Sequence, residues 1–250
     1  MELFGSSDSE DDGGAPPARP PACGPLSFHS GTEAELVRFV EASGARDPAA
    51  VLAAIDEFCW TRHWMMHVGD VKGAVLAAAA RRAVAAARGR PLLAVELGAY
   101  CGYSAVLVGR ELRPGDALLS LEVEPACVGF ARTVVSLAGL SGVATVALAG
   151  ADEAPGAALA RLGVAAPVDL LFLDHAKDRY LASLEDLEPR LRSGAVVVAD
   201  NVLAVDGGAS LAPYLARVRS PAYAESALHE APLEYADGGE RDGVEVSVFR

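Results

Sequence analysis

Leu92-Leu93-Ala94-Val95-Glu96-Leu97-Gly98-Ala99-Tyr100-Cys101-Gly102-Tyr103-Ser104 is the stretch around which the chain is organised. The apolar run from Leu92 to Val95 is short and leads into glycines, as in a strand buried on both faces of a parallel sheet. Gly98 and Gly102 allow a sharp turn and a close approach of backbone to a ligand. From Ser104 the pattern Ser-Ala-Val-Leu-Val-Gly-Arg-Glu-Leu is helical, and Ser104 or a neighbour is the expected cap. The unit is strand, glycine loop, helix, with free helix N–H groups that favour an anionic ligand group.

The glycine spacing selects among nucleotide-like ligands. A dinucleotide fingerprint needs G-x-G-x-x-G so that a pyrophosphate can lie against the backbone. Here the spacing is G-x-x-x-G and the strand ends at Glu96. A carboxylate beside the ligand repels a diphosphate and attracts an ammonium or sulfonium, which favours S-adenosylmethionine over a nicotinamide cofactor. A plain glycine turn closing a βα unit is the alternative that this stretch alone leaves open.

Composition narrows the class. The 250 residues suffice for one large α/β domain plus a tail, and 52% are hydrophobic. With 34 acidic against 21 basic residues the net charge is -13, which argues against a nucleic-acid partner. Cys23, Cys59, Cys101 and Cys127 are scattered without a C-x-x-C pair, which fits a reducing, cytoplasmic setting rather than a disulfide framework or structural zinc. No apolar run approaches the roughly 20 residues of a membrane span. The acidic N-terminus does not read as a secretory signal. Residues 1–25, with Ser6-Ser7-Asp8-Ser9-Glu10-Asp11-Asp12 followed by Gly, Pro and Ala, are expected to be a disordered tail. A single domain is expected over 26–250, with 26–90 supplying N-terminal helices and a lid.

Glu33–Ala42 is amphipathic, and Asp47-Pro48 marks an N-cap and first helical position for a helix to Phe58 or Trp60. Trp64 to Gly73 breaks periodicity at its glycines and reads as a connector or lid segment, ahead of an alanine-rich helix over Ala74–Arg88. His63 and His67 are four apart, but no third ligand accompanies them, so a metal there is not expected. Beyond the glycine loop, βα units repeat. Strands are expected at Ala117–Leu121, Val143–Leu148, Val168–Leu173 and Ala195–Ala199. An antiparallel pair near Tyr223–His229 and Val244–Phe249 should close a mostly parallel seven-stranded Rossmann-like sheet with helices on both faces.

Ligands of such sheets bind at the carboxyl ends of the strands, and Glu96, Glu122, Asp152, Asp174 and Asp200-Asn201 all fall there. Glu122, 26 residues beyond Glu96, is placed to bond ribose hydroxyls. Asp152 could accept from an adenine amino group or cap a helix. Asp174, Asp200 and Asn201 are hard oxygen donors that suit Mg²⁺ with room left for substrate oxygen. Lys177, three residues after Asp174, would lie over that ion as a general base towards a hydroxyl.

Glu96–Ala105, Leu173-Asp174-His175-Ala176-Lys177-Asp178-Arg179-Tyr180-Leu181 and Ala199-Asp200-Asn201-Val202 resemble the motifs of the catechol O-methyltransferase family. So do His67-Val68-Gly69-Asp70-Val71-Lys72-Gly73 and Leu233-Glu234-Tyr235. The similarity runs from about Ala34 to the end. It implies a class I methyltransferase using S-adenosylmethionine and Mg²⁺ on small-molecule catechols, and a monomer is expected. By that resemblance Asp174, Asp200 and Asn201 hold the metal, Lys177 is the base, and Glu234 bonds the second catechol hydroxyl. Val68, Glu96, Gly98, Tyr100, Ser104, Glu122, Val123, Asp152, Asp174 and His175 line the cofactor. Trp64 and Met66 form apolar walls beside the substrate, which also meets Lys177, Asn201 and Glu234.

Two positions depart from the family pattern. Ala176 stands where tryptophan is usual, and Val205 where proline is usual beyond the Asp-Asn pair. Both imply a wider acceptor slot. The alternatives are an O-methyltransferase for other vicinal-hydroxyl aromatics such as caffeoyl derivatives, and a catalytically idle S-adenosylmethionine-binding protein.

Overall fold

The computed structural model describes residues 31–204, 206–236 and 239–250. The expected tail over 1–25 and the substituted position Val205 lie outside the described residues.

Three helices precede the sheet: α1 (Thr32–Ser43), α2 (Pro48–Thr61) and α3 (Gly69–Ala86). α2 begins as its sequence dictates: Pro48 occupies the first turn and the Asp47 carboxylate accepts from Ala50 N at 3.0 Å. α3 departs from expectation. Gly73 does not end the connector; it lies inside the helix, which starts at Gly69. A Cβ at Gly73 would sit 3.4 Å from Leu107 Cδ1, at ordinary van der Waals contact. The glycine lies where α3 faces Leu107 and does not break the helix.

The βα units follow as β1 (Leu93–Leu97), α4 (Tyr103–Gly109), β2 (Ala117–Glu122), α5 (Pro125–Leu137), β3 (Ala144–Leu148), α6 (Pro155–Arg161), β4 (Val168–Leu173), α7 (Tyr180–Leu187) and β5 (Leu191–Ala199). α8 (Ala212–Val218), β6 (Tyr223–Pro232) and β7 (Arg241–Phe249) complete the chain. The sheet order is β3-β2-β1-β4-β5-β7-β6. Parallel pairs run from β3 to β5, and β7 is antiparallel to both β5 and β6. The expected mostly parallel sheet with an antiparallel C-terminal pair is what forms.

Every residue of β1 and β4 is buried, because both faces of the sheet are covered. One core lies under α1 to α5 and takes Ala94, Phe172, Val196 and Val198 from the sheet. The other lies under α6 to α8 and takes Val95, Leu97, Leu171, Val197 and Ala199. Alternate residues of each strand feed opposite cores, each buried Leu or Val stabilising by about 1.5–3 kcal/mol. The order reverses between β1 and β4, and the crevice at their carboxyl ends is where this architecture binds ligands.

Ser104 does not cap α4. The cap is Gly102 in the left-handed region, without a side-chain bond, and Ser104 lies inside the first turn. Asp152 is not a cap either, since α6 is preceded by Ala154.

Candidate active site

Gly98 ends β1 with a φ of +99°, and a Cβ there would lie 2.3 Å from the Asp174 carbonyl oxygen. Only glycine lets β1 turn this close to the end of β4. The loop beyond it is fastened by Glu122. One oxygen of that carboxylate accepts from Tyr100 N at 2.8 Å, and the other from Val123 N at 2.7 Å and Glu124 N at 2.9 Å. Tyr100 sits at φ +45°, unusual for a side chain of this size, and its N–H is held by this bond. Glu122 therefore organises the glycine loop, a role the sequence did not suggest.

Glu96 is fully buried. Ser120 donates to its Oε2, and the Ser104 hydroxyl lies close enough to favour its charged form. Oε1 has no hydrogen-bond partner. Burial, with Asp174 and Glu122 adding repulsion, pushes its carboxyl up to about 7. A buried carboxylate with an orphaned oxygen beside a glycine loop fits the ammonium of an amino-acid ligand, so these residues suit the methionine end of S-adenosylmethionine. Val68 is buried at the start of α3, and Val123 is half exposed after β2. Asp152 stands apart: it is exposed at the surface and paired with Arg179 at 2.8 Å.

Asp174 and Asp200 follow β4 and β5 directly, with Leu173 registered against Ala199. Asp200 N donates to Leu173 O at 3.0 Å, which brings the two acids to one sheet edge. Asn201 follows at φ +52°, a conformation asparagine tolerates better than most residues. Its amide nitrogen donates to Asp242 Oδ2 at 2.7 Å, which leaves the amide oxygen as the side available for coordination. Lys177 Nζ donates to Asp174 Oδ1 at 2.9 Å and to the Tyr180 hydroxyl at 2.8 Å. That hydroxyl shares its own hydrogen between Leu173 O and Asp200 O. His175 bonds Ser183 through Nε2 and stacks on Tyr180, and burial lowers it to about 4.

Beneath this edge lies a group that sequence reasoning missed. Lys72, buried in α3, bonds Asp200 Oδ2 at 3.0 Å and Asp242 Oδ2 at 2.5 Å, and faces Glu234 Oε2 at 2.8 Å. Burial alone would lower its pKa, but the carboxylates of Asp200, Glu234 and Asp242 outweigh burial and raise it. Burial raises both Asp200 and Glu234. A signal for Lys72 existed: it falls in the same i, i+4 register as buried Leu76 and Ala80.

Among the described residues no three of His, Cys, Asp and Glu are set out as a metal cluster. The expected set is two carboxylates and an amide, and it fits a divalent cation on charge. Asp174, Asp200, Glu234 and Asp242 face two lysines; Asp200 Oδ1 makes no hydrogen bond, although Lys72 Nζ lies 3.0 Å from it. His63 and His67 do not converge. His63 pairs with Glu35, while His67 is buried between Tyr100 and Tyr103 and lowered to about 3 by burial.

The fold, the glycine loop and the buried Glu96 define a Rossmann-like methyltransferase of class I. The family model "Methyltransferase domain" matches residues 95–202. The chain is 39% identical to catechol O-methyltransferase of Mus musculus, over 82% of this chain and 73% of that one. It is 36% identical to a probable O-methyltransferase of Mycobacterium tuberculosis, over 82% and 87%. An O-methyltransferase from Bacillus cereus solved with SAH shares the fold at a TM-score of 0.63 and 18% identity, covering 90% of this chain and 93% of that one. The chain belongs to the catechol O-methyltransferase family and is an S-adenosylmethionine-dependent O-methyltransferase. Among the described residues no helix is long and apolar enough to cross a membrane.

Proposed function

We propose that the protein transfers a methyl group from S-adenosylmethionine to one hydroxyl of a catechol in a divalent-metal-dependent reaction. The observation that carries this reading is the single edge formed by Asp174, Asp200 and Asn201, with Lys177 Nζ 2.9 Å from Asp174 and Lys72 joining Asp200 to Glu234. Asp174, Asp200 and the Asn201 amide oxygen would hold Mg²⁺, which when bound supplies an electrophile that acidifies a phenolic hydroxyl. The cofactor supplies an electrophilic methyl on a sulfonium.

The chain's own residues do the rest. Glu96 anchors the cofactor's ammonium, and Glu122 holds the loop that carries it and receives the ribose. Lys177 Nζ takes the proton of the reacting hydroxyl, with Asp174 and the Tyr180 hydroxyl fixing the amine in place. Glu234 accepts from the second hydroxyl, so the ring is presented with one oxygen in line with the methyl. A new O–CH₃ bond forms as the S–CH₃ bond breaks; the oxyanion and sulfonium become ether and thioether, and the proton resides on Lys177. Trp64 and Met66, both partly exposed, form the apolar side of the acceptor slot.

Methyl transfer to a catechol is measured with and without Mg²⁺ after chelator treatment. Turnover is expected to vanish on chelation and return with Mg²⁺, and Asp200→Ala is expected to raise the barrier by at least several kcal/mol. Full turnover by chelated enzyme would exclude the metal.

A further inference from the structure

The catechol-binding role of Glu234 rests on the proposed function, and the structure adds what sets its position. Glu234 lies in the connection between β6 and β7, followed by Tyr235 at φ +50°. A left-handed backbone is an outlier for a bulky aromatic residue and persists only where its surroundings over-determine it. Those surroundings come from α2 and the segment after it. Tyr235 is buried, and its hydroxyl donates to Asp56 Oδ1 at 2.8 Å. Trp60 meets the Tyr235 ring edge-on at 5.6 Å. Trp64 Nε1 donates to Glu234 O at 2.9 Å. Gly69 backs against the turn so closely that a Cβ there would lie 2.8 Å from Glu234 Cβ.

Asp56 is the polar member of this set without a place in the proposed chemistry. The hydroxyl of Tyr103, the first residue of the helix after the cofactor loop, also lies close enough to favour the charged form of the Asp56 carboxyl. Burial raises it to about 6, while the two tyrosine hydroxyls pull it back down. A half-buried carboxylate that accepts the Tyr235 hydroxyl and lies beside that of Tyr103 holds the Tyr235 ring from α2. We propose that Asp56 is a positioning residue: through the Tyr235 hydroxyl it holds the strained turn that points Glu234 at the second hydroxyl of the acceptor.

The test is a kinetic cycle over Asp56→Asn, Glu234→Gln and the double variant, with KM for a catechol, kcat, and the Kd for S-adenosylhomocysteine measured for each. Asp56→Asn is expected to raise the acceptor KM about ten- to a hundredfold, the size of a lost hydrogen bond to a charged group, and to move the cofactor Kd by less than about twofold. In the Glu234→Gln background the same substitution is expected to change KM no further. A purely structural role would lower stability and cofactor affinity together and would add to the Glu234→Gln effect, which overturns the inference. If Glu234→Gln itself leaves KM unaltered, the reading of the acceptor site falls and this inference with it. If Glu234→Gln raises KM and Asp56→Asn does not, only the inference falls. Tyr235→Phe removes the hydroxyl alone and is expected to reproduce the Asp56→Asn profile, so the question is decided even if the Asp56 variant does not fold.

Discussion

The Lys72 ammonium and the Asp200 carboxylate meet at 3.0 Å in the interior, both essentially without solvent exposure, although 128 residues separate them in the chain. The same ammonium faces Glu234 and Asp242, so one cation supports three acids from the end of β5, the β6–β7 connection and β7. Removing the cation from such a cluster leaves buried charges uncompensated. Lys72→Met is therefore expected to cost about 3–5 kcal/mol of stability, read from urea unfolding with an unchanged m-value. A loss below about 1 kcal/mol would mean that the acids are not charged together in the folded state.

Glu122 gives a second expectation. Its carboxylate accepts from three backbone N–H groups, and in the proposed function it receives the ribose. Glu122→Ala should weaken cofactor binding by about 1–3 kcal/mol, through lost charge-assisted bonds and a looser Tyr100 backbone. Calorimetry with S-adenosylmethionine checks it, and an unchanged Kd would remove Glu122 from the cofactor site.

Glu96 makes cofactor binding pH-dependent. Burial raises its carboxyl to about 7 from the ordinary 4.5, with Asp174 and Glu122 adding to the rise and Ser104 and Ser120 opposing it. An ammonium bound against it favours the charged form, so its pKa falls in the complex. The sign follows: affinity increases as pH rises towards about 7 and levels off above, because below that value binding must expel a proton. The Kd for S-adenosylhomocysteine is expected to fall by up to about tenfold per pH unit from about pH 5.5 to about pH 7. Glu96→Gln should abolish the slope, and a slope retained in that variant would place the titrating group elsewhere.

Much of this was legible in the chain. Short apolar runs ending in an acid, as at Leu173-Asp174 and Ala199-Asp200, carry both the strand and its functional end, because the run must be buried and the acid marks where the strand meets the ligand crevice. Asp47-Pro48 marked its helix because capping is local. What failed was chemistry that depends on distant partners. Ser104 resembles a cap, but its hydroxyl is turned to Glu96, whose strand arrives only in the folded state. Lys72 is hidden in an alanine-rich helix, and its acids lie 128 to 170 residues away. Gly73 looked like a break because the packing of Leu107 against it is not written in its own neighbourhood.

Ala176 and Lys177 together carry the last expectation. Methyl transfer as an in-line displacement asks the protein for alignment and for removal of one proton. Lys177 Nζ, held by Asp174 and Tyr180, is the group placed to remove it. Lys177→Met should therefore lower kcat by at least about a hundredfold while shifting the cofactor Kd little, because general-base catalysis contributes on that scale. Ala176, exposed one residue before Lys177, carries only a methyl, and the proposed acceptor site sets it at the rim of the slot. A slot lacking an aromatic wall there should admit bulky ring substituents and hold an asymmetric catechol in two orientations. Ala176→Trp should then sharpen the ratio of the two methylated products and reduce turnover of bulky catechols, as read by chromatography of an asymmetric catechol's products. The same product ratio in wild type and Ala176→Trp would show that this position does not wall the acceptor, whatever the effect of Lys177→Met on kcat.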